Sequence, residues 1–330
     1  MKILYAIQGT GNGHLSRALD VIPCLQKHGE VDILVSGIQG DLKLPFEIKY
    51  QFNGMSFIFG KKGGVDLWKT LRKANLRKFI KNIKELPVEQ YDLVINDFEP
   101  VSAWACLLKN KQCIGLSHQA AVLNAAFPVP KESDAIGKLL LQQYAPVTDK
   151  YGFHFKAVGS KIFTPVIRQI VRASPITNNG HITVYLPAFD DKRLIKNLSV
   201  YKNVTWEVFS KHNKKKIVHK NITIHPINNE MFISSMAASN GVMCGGGFET
   251  PAEALFMGKK LLVIPMKNQY EQQLNAEALK SMGVEVIKAL KPKYIPVINE
   301  WLENGIPPRV DYPDSTQHII DTVITLNTEV

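Results

Sequence analysis

The chain has 330 residues, 45% of them hydrophobic and 21% charged, a balance that fits a soluble globular protein of about two domains rather than a disordered chain. No low-complexity tract stands out, nor any repeat of roughly 20–50 residues, so a solenoid array is excluded. The formal charge of +11 asks for an anionic partner, and nucleic acid, an anionic membrane face and a phosphorylated substrate are the candidates.

Lys2–Gln8 predicts a buried strand, Gly9–Gly13 a glycine-rich turn, His14–His28 a helix and Val31–Ser36 a second strand. Such a β-loop-α-β opening belongs to a parallel sheet with helices on both faces. Later strands are predicted at Leu93–Asn96, ending at Asp97, and at Cys113–Leu116. The pattern restarts at Ile182–Leu186, with short strands at Thr205–Phe209, Ile222–His225, Gly241–Cys244 and Lys260–Ile264. Helices are predicted at Glu230–Ala237, Thr250–Met257 and Glu271–Met282. The expected fold is α/β with two Rossmann-like domains, 1–165 and 166–330, facing across a cleft. Ligands of open α/β sheets bind beyond the carboxyl ends of the strands, so the turn at Gly9–His14, Asp97 and the glycines at 245–247 can converge.

The apolar N-terminal run is too short for a signal-peptide core, and the longest charge-free stretch, Gln112–Pro130, is a poor bilayer span with its polar residues and two prolines. Cys24, Cys106, Cys113 and Cys244 have no CxxC spacing and are expected to be reduced. A cytoplasmic location is expected.

Gly9-Thr10-Gly11-Asn12-Gly13-His14 lets the backbone approach a phosphate at a helix N-terminus. A dinucleotide fingerprint would have glycine at position 14 and an acid ending the second strand, where this chain has His14 and Val35-Ser36-Gly37. A histidine opening a helix beside the glycines instead suits a catalytic base, or simply a polar helix start. Asp97, just past a buried strand, can orient such a histidine or cap the following helix.

In the second half, Gly245-Gly246-Gly247 leads into Phe248-Glu249-Thr250-Pro251-Ala252-Glu253. Thr250 is expected as N-cap with Pro251 first in the helix, and the exposed N–H groups would suit a diphosphate. Thr250 and Glu253 also have capping-box spacing, a structural alternative to a ligand role for Glu253. Glu271 and Gln272 open the next helix with groups suited to sugar hydroxyls. Asp190 and Asp191 are adjacent in an expected surface loop, and no carboxylate pair stands where a metal is expected.

The stretch GGGFETPAEALFMGKKLLVIPMKNQYEQQLNAEAL resembles the donor site of GT-B glycosyltransferases, in particular the UDP-glycosyltransferases and the family 28-like peptidoglycan N-acetylglucosaminyltransferase. GTGNGH resembles their N-terminal glycine loop, and Asp97 in VINDFEPVSAWAC resembles the acid of a His–Asp dyad. The resemblance implies an inverting, metal-independent transferase of hexosyl type, with no cofactor beyond a nucleotide-sugar co-substrate, expected to be a UDP-sugar. It implies His14 as general base and Asp97 as its partner. Gly11, Asn12, Gly13, Gly246, Gly247, Phe248, Glu249 and Thr250 would surround the diphosphate, Glu253 the ribose, Ile227 the base ring, and Glu271 and Gln272 the sugar. Two other readings stay open: a UDP-sugar 2-epimerase on the same fold, and a non-catalytic nucleotide or glycan-binding module.

From Trp68 to Lys84 seven basic residues and no acid occur, with Lys69, Lys73, Arg77 and Lys81 on one stripe and Trp68, Leu76, Phe79 and Ile83 on another. The stripe fits a solvated helix face or an anionic membrane surface, which would suit a lipid or lipid-linked acceptor and a peripheral place on the inner membrane face. Nucleic acid fits least. His118 and Gln119 follow a predicted strand and can face either the cleft or the core.

Overall fold

The computed structural model describes residues 1–37, 42–53, 76–130 and 134–328. The first apolar run forms β1 (Lys2–Gln8), buried from its second residue onward. Unbroken apolar strands belong in parallel sheets covered on both faces, and β1 pairs in parallel with β2 (Glu30–Ser36) and β4 (Leu93–Asp97). With β3 (Tyr50–Phe52), β5 (Ile114–Ser117), β6 (Asp149–Phe153) and β7 (Ile162–Phe163), the sheet order is β3-β2-β1-β4-β5-β6-β7. A second sheet holds β8 (Ile182–Tyr185), β9 (Trp206–Ser210), β10 (Ile217–His219), β11 (Ile222–Pro226), β12 (Gly241–Gly245), β13 (Lys260–Ile264) and β14 (Glu285–Val286). Its order is β10-β11-β9-β8-β12-β13-β14, and β10 is its antiparallel edge.

The first-half helices are α1 (Gly13–Gln26), α2 (Leu76–Glu85), α3 (Pro100–Leu108), α4 (His118–Val122) and α5 (Ala135–Gln143). A short α6 (Gln169–Arg172) lies between the sheets in sequence. Then come α7 (Asp191–Leu198), α8 (Asn229–Ala238), α9 (Glu249–Phe256), α10 (Tyr270–Ser281), α11 (Ile295–Asn304) and α12 (Thr316–Thr328).

Both sheets reverse strand order beside their first strand: β1 lies next to β4 in one, and β8 next to β12 in the other. At such a switch point the connections leave in opposite directions and open a crevice beyond the strand ends. The final helix returns to the first half. α12 packs on α1, with His28 Nε2 2.8 Å from Asp321 Oδ1, and Asn327 Nδ2 donates to the Tyr151 hydroxyl at 3.1 Å.

On α2, Phe79 and Ile83 pack on the first sheet, while Leu76 and Ile80 stay 49% and 48% exposed among Arg77, Lys78, Lys81 and Lys84. Leu76 therefore does not join the buried stripe expected of it. Trp68, Lys69 and Lys73 lie outside the described residues. Among the described residues no helix is long and apolar enough to cross a membrane.

The helix start at α3 is fixed by Glu99, which is fully buried. Its carboxylate accepts from the N–H groups of Val101 and Ser102 and from the Ser36 and Ser102 hydroxyls. A capping side chain satisfies donors that the helix itself leaves unpaired. Glu99→Ala strips four buried donors of their acceptor, so chemical denaturation should show a loss of about 2 kcal/mol or more.

Candidate active site

The first crevice opens where Ile7 of β1 stands beside Asp97 of β4. The turn after β1 includes Gly11 at φ +90°, a conformation that favours glycine, and delivers His14 to the second position of α1. After β4 the chain turns sharply through Phe98 at φ +57°, uncommon for a bulky residue, which leaves Asp97 in the crevice and folds Glu99 back onto α3. His14 Nδ1 is 2.8 Å from Asp97 Oδ1. An ionised carboxylate only accepts, so the network assigns the proton to Nδ1 and leaves the Nε2 lone pair as a base. Burial by itself lowers the His14 pKa, but the Asp97 charge and hydrogen bond outweigh it and the net shift is upward.

Arg17, one helical turn beyond His14, was not among the residues expected from sequence. Its side chain is 2% exposed and Asp97 is 0% exposed. Arg17 Nη2 donates to both Asp97 oxygens at 2.7 and 2.8 Å, and Nη1 donates to Glu249 Oε1 of the second half. Nη2 also lies 3.1 Å from His14 Nδ1, so the two share one carboxylate, to which the Tyr5 hydroxyl also donates at 3.5 Å. Burial would push the Asp97 pKa up, but Arg17 and then His14 reverse this and hold it below the usual carboxylate range.

The second crevice lies beyond β12. A Cβ on Gly246 would come within 2.7 Å of the Gln272 carbonyl oxygen, so backbones meet there, whereas one on Gly247 would meet nothing within 4 Å. Gln272 Oε1 accepts from the N–H groups of Gly246 and Met266 at 3.1 and 2.9 Å. It therefore ties the glycine run to the loop after β13. Glu271, in the first turn of α10, is half-buried, as is Ile227 just after β11.

Three expectations in this region change. α9 begins at Glu249 with Phe248 as an N-cap lacking a side-chain bond, so Thr250 and Pro251 are the second and third helical residues rather than the cap and first position. The capping box with Glu253 does not form, because both oxygens of buried Glu253 accept from Arg168, at 2.5 and 2.8 Å. Two lone-pair directions of that carboxylate remain for a hydroxyl. The Phe248 ring turns to the first half, stacked 3.9 Å from His118 and 4.9 Å from Phe155, which leaves only its backbone beside the glycines.

His118 is buried, with Nδ1 2.8 Å from the Phe153 carbonyl and Nε2 2.6 Å from Asn275 Oδ1, while Asn275 Nδ2 donates to the Gly246 carbonyl. It belongs to the contact between the halves. Gln119 is the residue that reaches the site: its Nε2 is 3.5 Å from His14 Nε2, its buried Oε1 has no hydrogen-bond partner among the described residues, and it lines a cavity with Phe98, Ser117, Leu141 and Lys150. Asp190 caps α7 through Arg193 N–H, and Asp191 accepts from the Ser210 hydroxyl. No group of three His, Cys, Asp or Glu side chains suited to a metal occurs among the described residues.

Two mainly parallel sheets with their crevices and glycine turns brought together by Arg17 and Phe248 define the GT-B class of glycosyltransferase. The model of the family described as glycosyl transferase family 1 matches residues 1–304, and the chain belongs to that family. It is a glycosyltransferase. No curated protein matches the chain. Among solved structures, MurG of Acinetobacter baumannii is similar at 16% identity, covering 98% of this chain and 99% of that one with a TM-score of 0.61. UGT89C1 of Arabidopsis thaliana complexed with UDP is similar at 12% identity over 99% and 93%, TM-score 0.58. SsfS6 of Streptomyces sp. SF2575 complexed with thymidine diphosphate is similar at 13% identity over 98% and 96%, TM-score 0.57. At these identities the likeness is one of fold.

The geometry makes a prediction independent of any substrate. In an NMR titration the His14 imidazole should titrate above its ordinary value of 6.5. Asp97→Asn removes the carboxylate that raises it, so the midpoint should fall; an unmoved midpoint would mean that another group sets it.

Proposed function

We propose that this glycosyltransferase moves a sugar from a UDP-sugar to an acceptor hydroxyl with inversion at the anomeric carbon. The first half (1–165) receives the acceptor and the second (166–330) the donor. The observation that carries this reading is His14 with Nδ1 bonded to Asp97 and Nε2 within 3.5 Å of the Gln119 amide.

In the reaction, the acceptor oxygen attacks the anomeric carbon as its proton passes to His14 Nε2. The bond from that carbon to the diphosphate oxygen breaks, and the nucleoside diphosphate departs. Asp97 keeps the imidazole in the right tautomer and stabilises the imidazolium that forms. Backbone N–H groups from Gly246, Gly247, Phe248, Glu249 and Thr250, at the positive end of α9, meet the charge growing on the leaving group, with Gly11, Asn12 and Gly13 closing the opposite side. That arrangement handles the leaving group without a metal. Glu253 takes the ribose, Ile227 lies along the base, and Glu271 and Gln272 read the sugar. UDP and thymidine diphosphate in the similar structures support a nucleoside diphosphate as the donor's carrier.

A thermal-shift panel of UDP, dTDP, GDP and NAD tests the donor. A ligand at about 100 times its dissociation constant adds about 2.7 kcal/mol; UDP should raise the midpoint and NAD should not. A response to NAD alone would overturn the reading. His14→Ala should lose about 10²–10⁴-fold in kcat and keep donor affinity. Full activity in that variant would remove His14 as base, and sugar interconversion without an acceptor would favour the epimerase.

For the acceptor we propose a lipid or lipid-linked hydroxyl reached from an anionic membrane face. The support is α2, where exposed Leu76 and Ile80 stand among four basic side chains, and the α3 end packed beside it, where Leu107 and Leu108 are exposed. Apolar side chains ringed by lysine and arginine suit a headgroup boundary. The protein should co-sediment with phosphatidylserine vesicles at low salt, and replacing Arg77, Lys78, Lys81 and Lys84 with glutamine should abolish this. No sedimentation at low salt would sink the proposal.

A further inference from the structure

Glu249 stands where a diphosphate would have to bind. It opens α9, so its carboxylate lies at the end of the helix that attracts anions. A Cβ on Gly13 would fall 2.5 Å from Glu249 Oε2, which puts the same carboxylate against the glycine turn of the first half. It is 24% exposed, whereas its partner Arg17 is 2% exposed. A multiply charged diphosphate and this carboxylate cannot share the space without strong repulsion. Arg17, in turn, has Nη2 occupied by Asp97 and only Nη1 turned to the second half.

We propose that the Glu249 carboxylate is an internal stand-in for the donor's diphosphate, and that Arg17 is the group for which the two compete. This rests on the function proposed above. In the donor-free protein Glu249 occupies Arg17 Nη1. Donor binding displaces the Glu249 side chain toward solvent, and Nη1 passes from Glu249 Oε1 to an oxygen of the β-phosphate, while Nη2 stays on Asp97.

The exchange has three chemical consequences. The guanidinium keeps its proton at any working pH, so it acts as a fixed positive charge and not as an acid. It faces the oxygen on which charge accumulates as the glycosidic bond breaks, the place where a preorganised donor lowers the barrier most. The same guanidinium touches Asp97, so the leaving group and the partner of the base are held by one planar fork. After transfer, Glu249 competes for Nη1 again and helps expel the nucleoside diphosphate.

The exchange concerns the β-phosphate alone, and that separates it from a structural role. Dissociation constants for uridine, UMP and UDP would be measured by calorimetry on the wild-type protein, Glu249→Gln and Arg17→Lys (with the thymidine series if the wild-type protein selects it). Glu249→Gln removes the competing charge and should bind UDP about tenfold more tightly, the size of one charge-assisted hydrogen bond, with uridine and UMP unchanged. Arg17→Lys should bind UDP about tenfold more weakly, again with UMP unchanged. If Arg17→Lys does not fold, Glu249→Gln alone decides, since its side chain is partly exposed. Equal or weaker UDP affinity in Glu249→Gln overturns the stand-in and leaves the proposed function intact. A wild-type protein that binds no nucleoside diphosphate overturns both.

Discussion

One guanidinium organises the centre of this protein. Removing a charge from water costs several kcal/mol unless partners compensate, and Arg17 is almost wholly out of water. Its compensation comes from two carboxylates that lie far off in sequence, Asp97 in its own half and Glu249 in the other. The ionised state of Asp97, the tautomer of His14 and the position of the Glu249 side chain all follow from that requirement. Remove the guanidinium and Asp97 is left a buried anion with an imidazole and, at 3.5 Å, the Tyr5 hydroxyl to answer it.

Sheet topology brings these groups within reach. A parallel sheet is indifferent to which polar residues stand at its strand ends, because its stability resides in apolar runs buried on both faces. Asp97 at the end of β4 and the glycines after β1 and β12 are therefore free to serve chemistry. Placing order reversals at β1 and β8 opens both crevices at the same kind of site, and contact through Phe248 and His118 sets one against the other.

Much of this was legible in the sequence. The apolar runs at β1, β12 and β13 and the glycines after them were readable because local composition decides them. The strands β3, β6 and β7 were not: they are short, and Asp149-Lys150-Tyr151-Gly152-Phe153 has no apolar run or clean alternation to mark it. The His14 and Asp97 pairing was readable from motif and strand end. Arg17 and Arg168 were not, since a basic residue in a helix or loop looks like solvated surface until its distant carboxylate is known. One local signal for Arg17 existed, because residues three apart on a helix share a face and Arg17 follows His14 at that spacing. The capping reading of Thr250 and Glu253 failed for the same reason: Arg168, 85 positions from Glu253, outcompetes a local hydrogen bond.

The return of α12 to the first half has a mechanical meaning. Chain passes between the halves twice, once through 164–181 and again through 305–315. A body tied to another at a single point can turn about three axes, and a second tie leaves only the axis through both. The two crossings add covalent ties to the side-chain contacts of Arg17 with Glu249 and of His118 with Phe248, so the start of α9 is held against the first half by the chain's path as well as by its side chains.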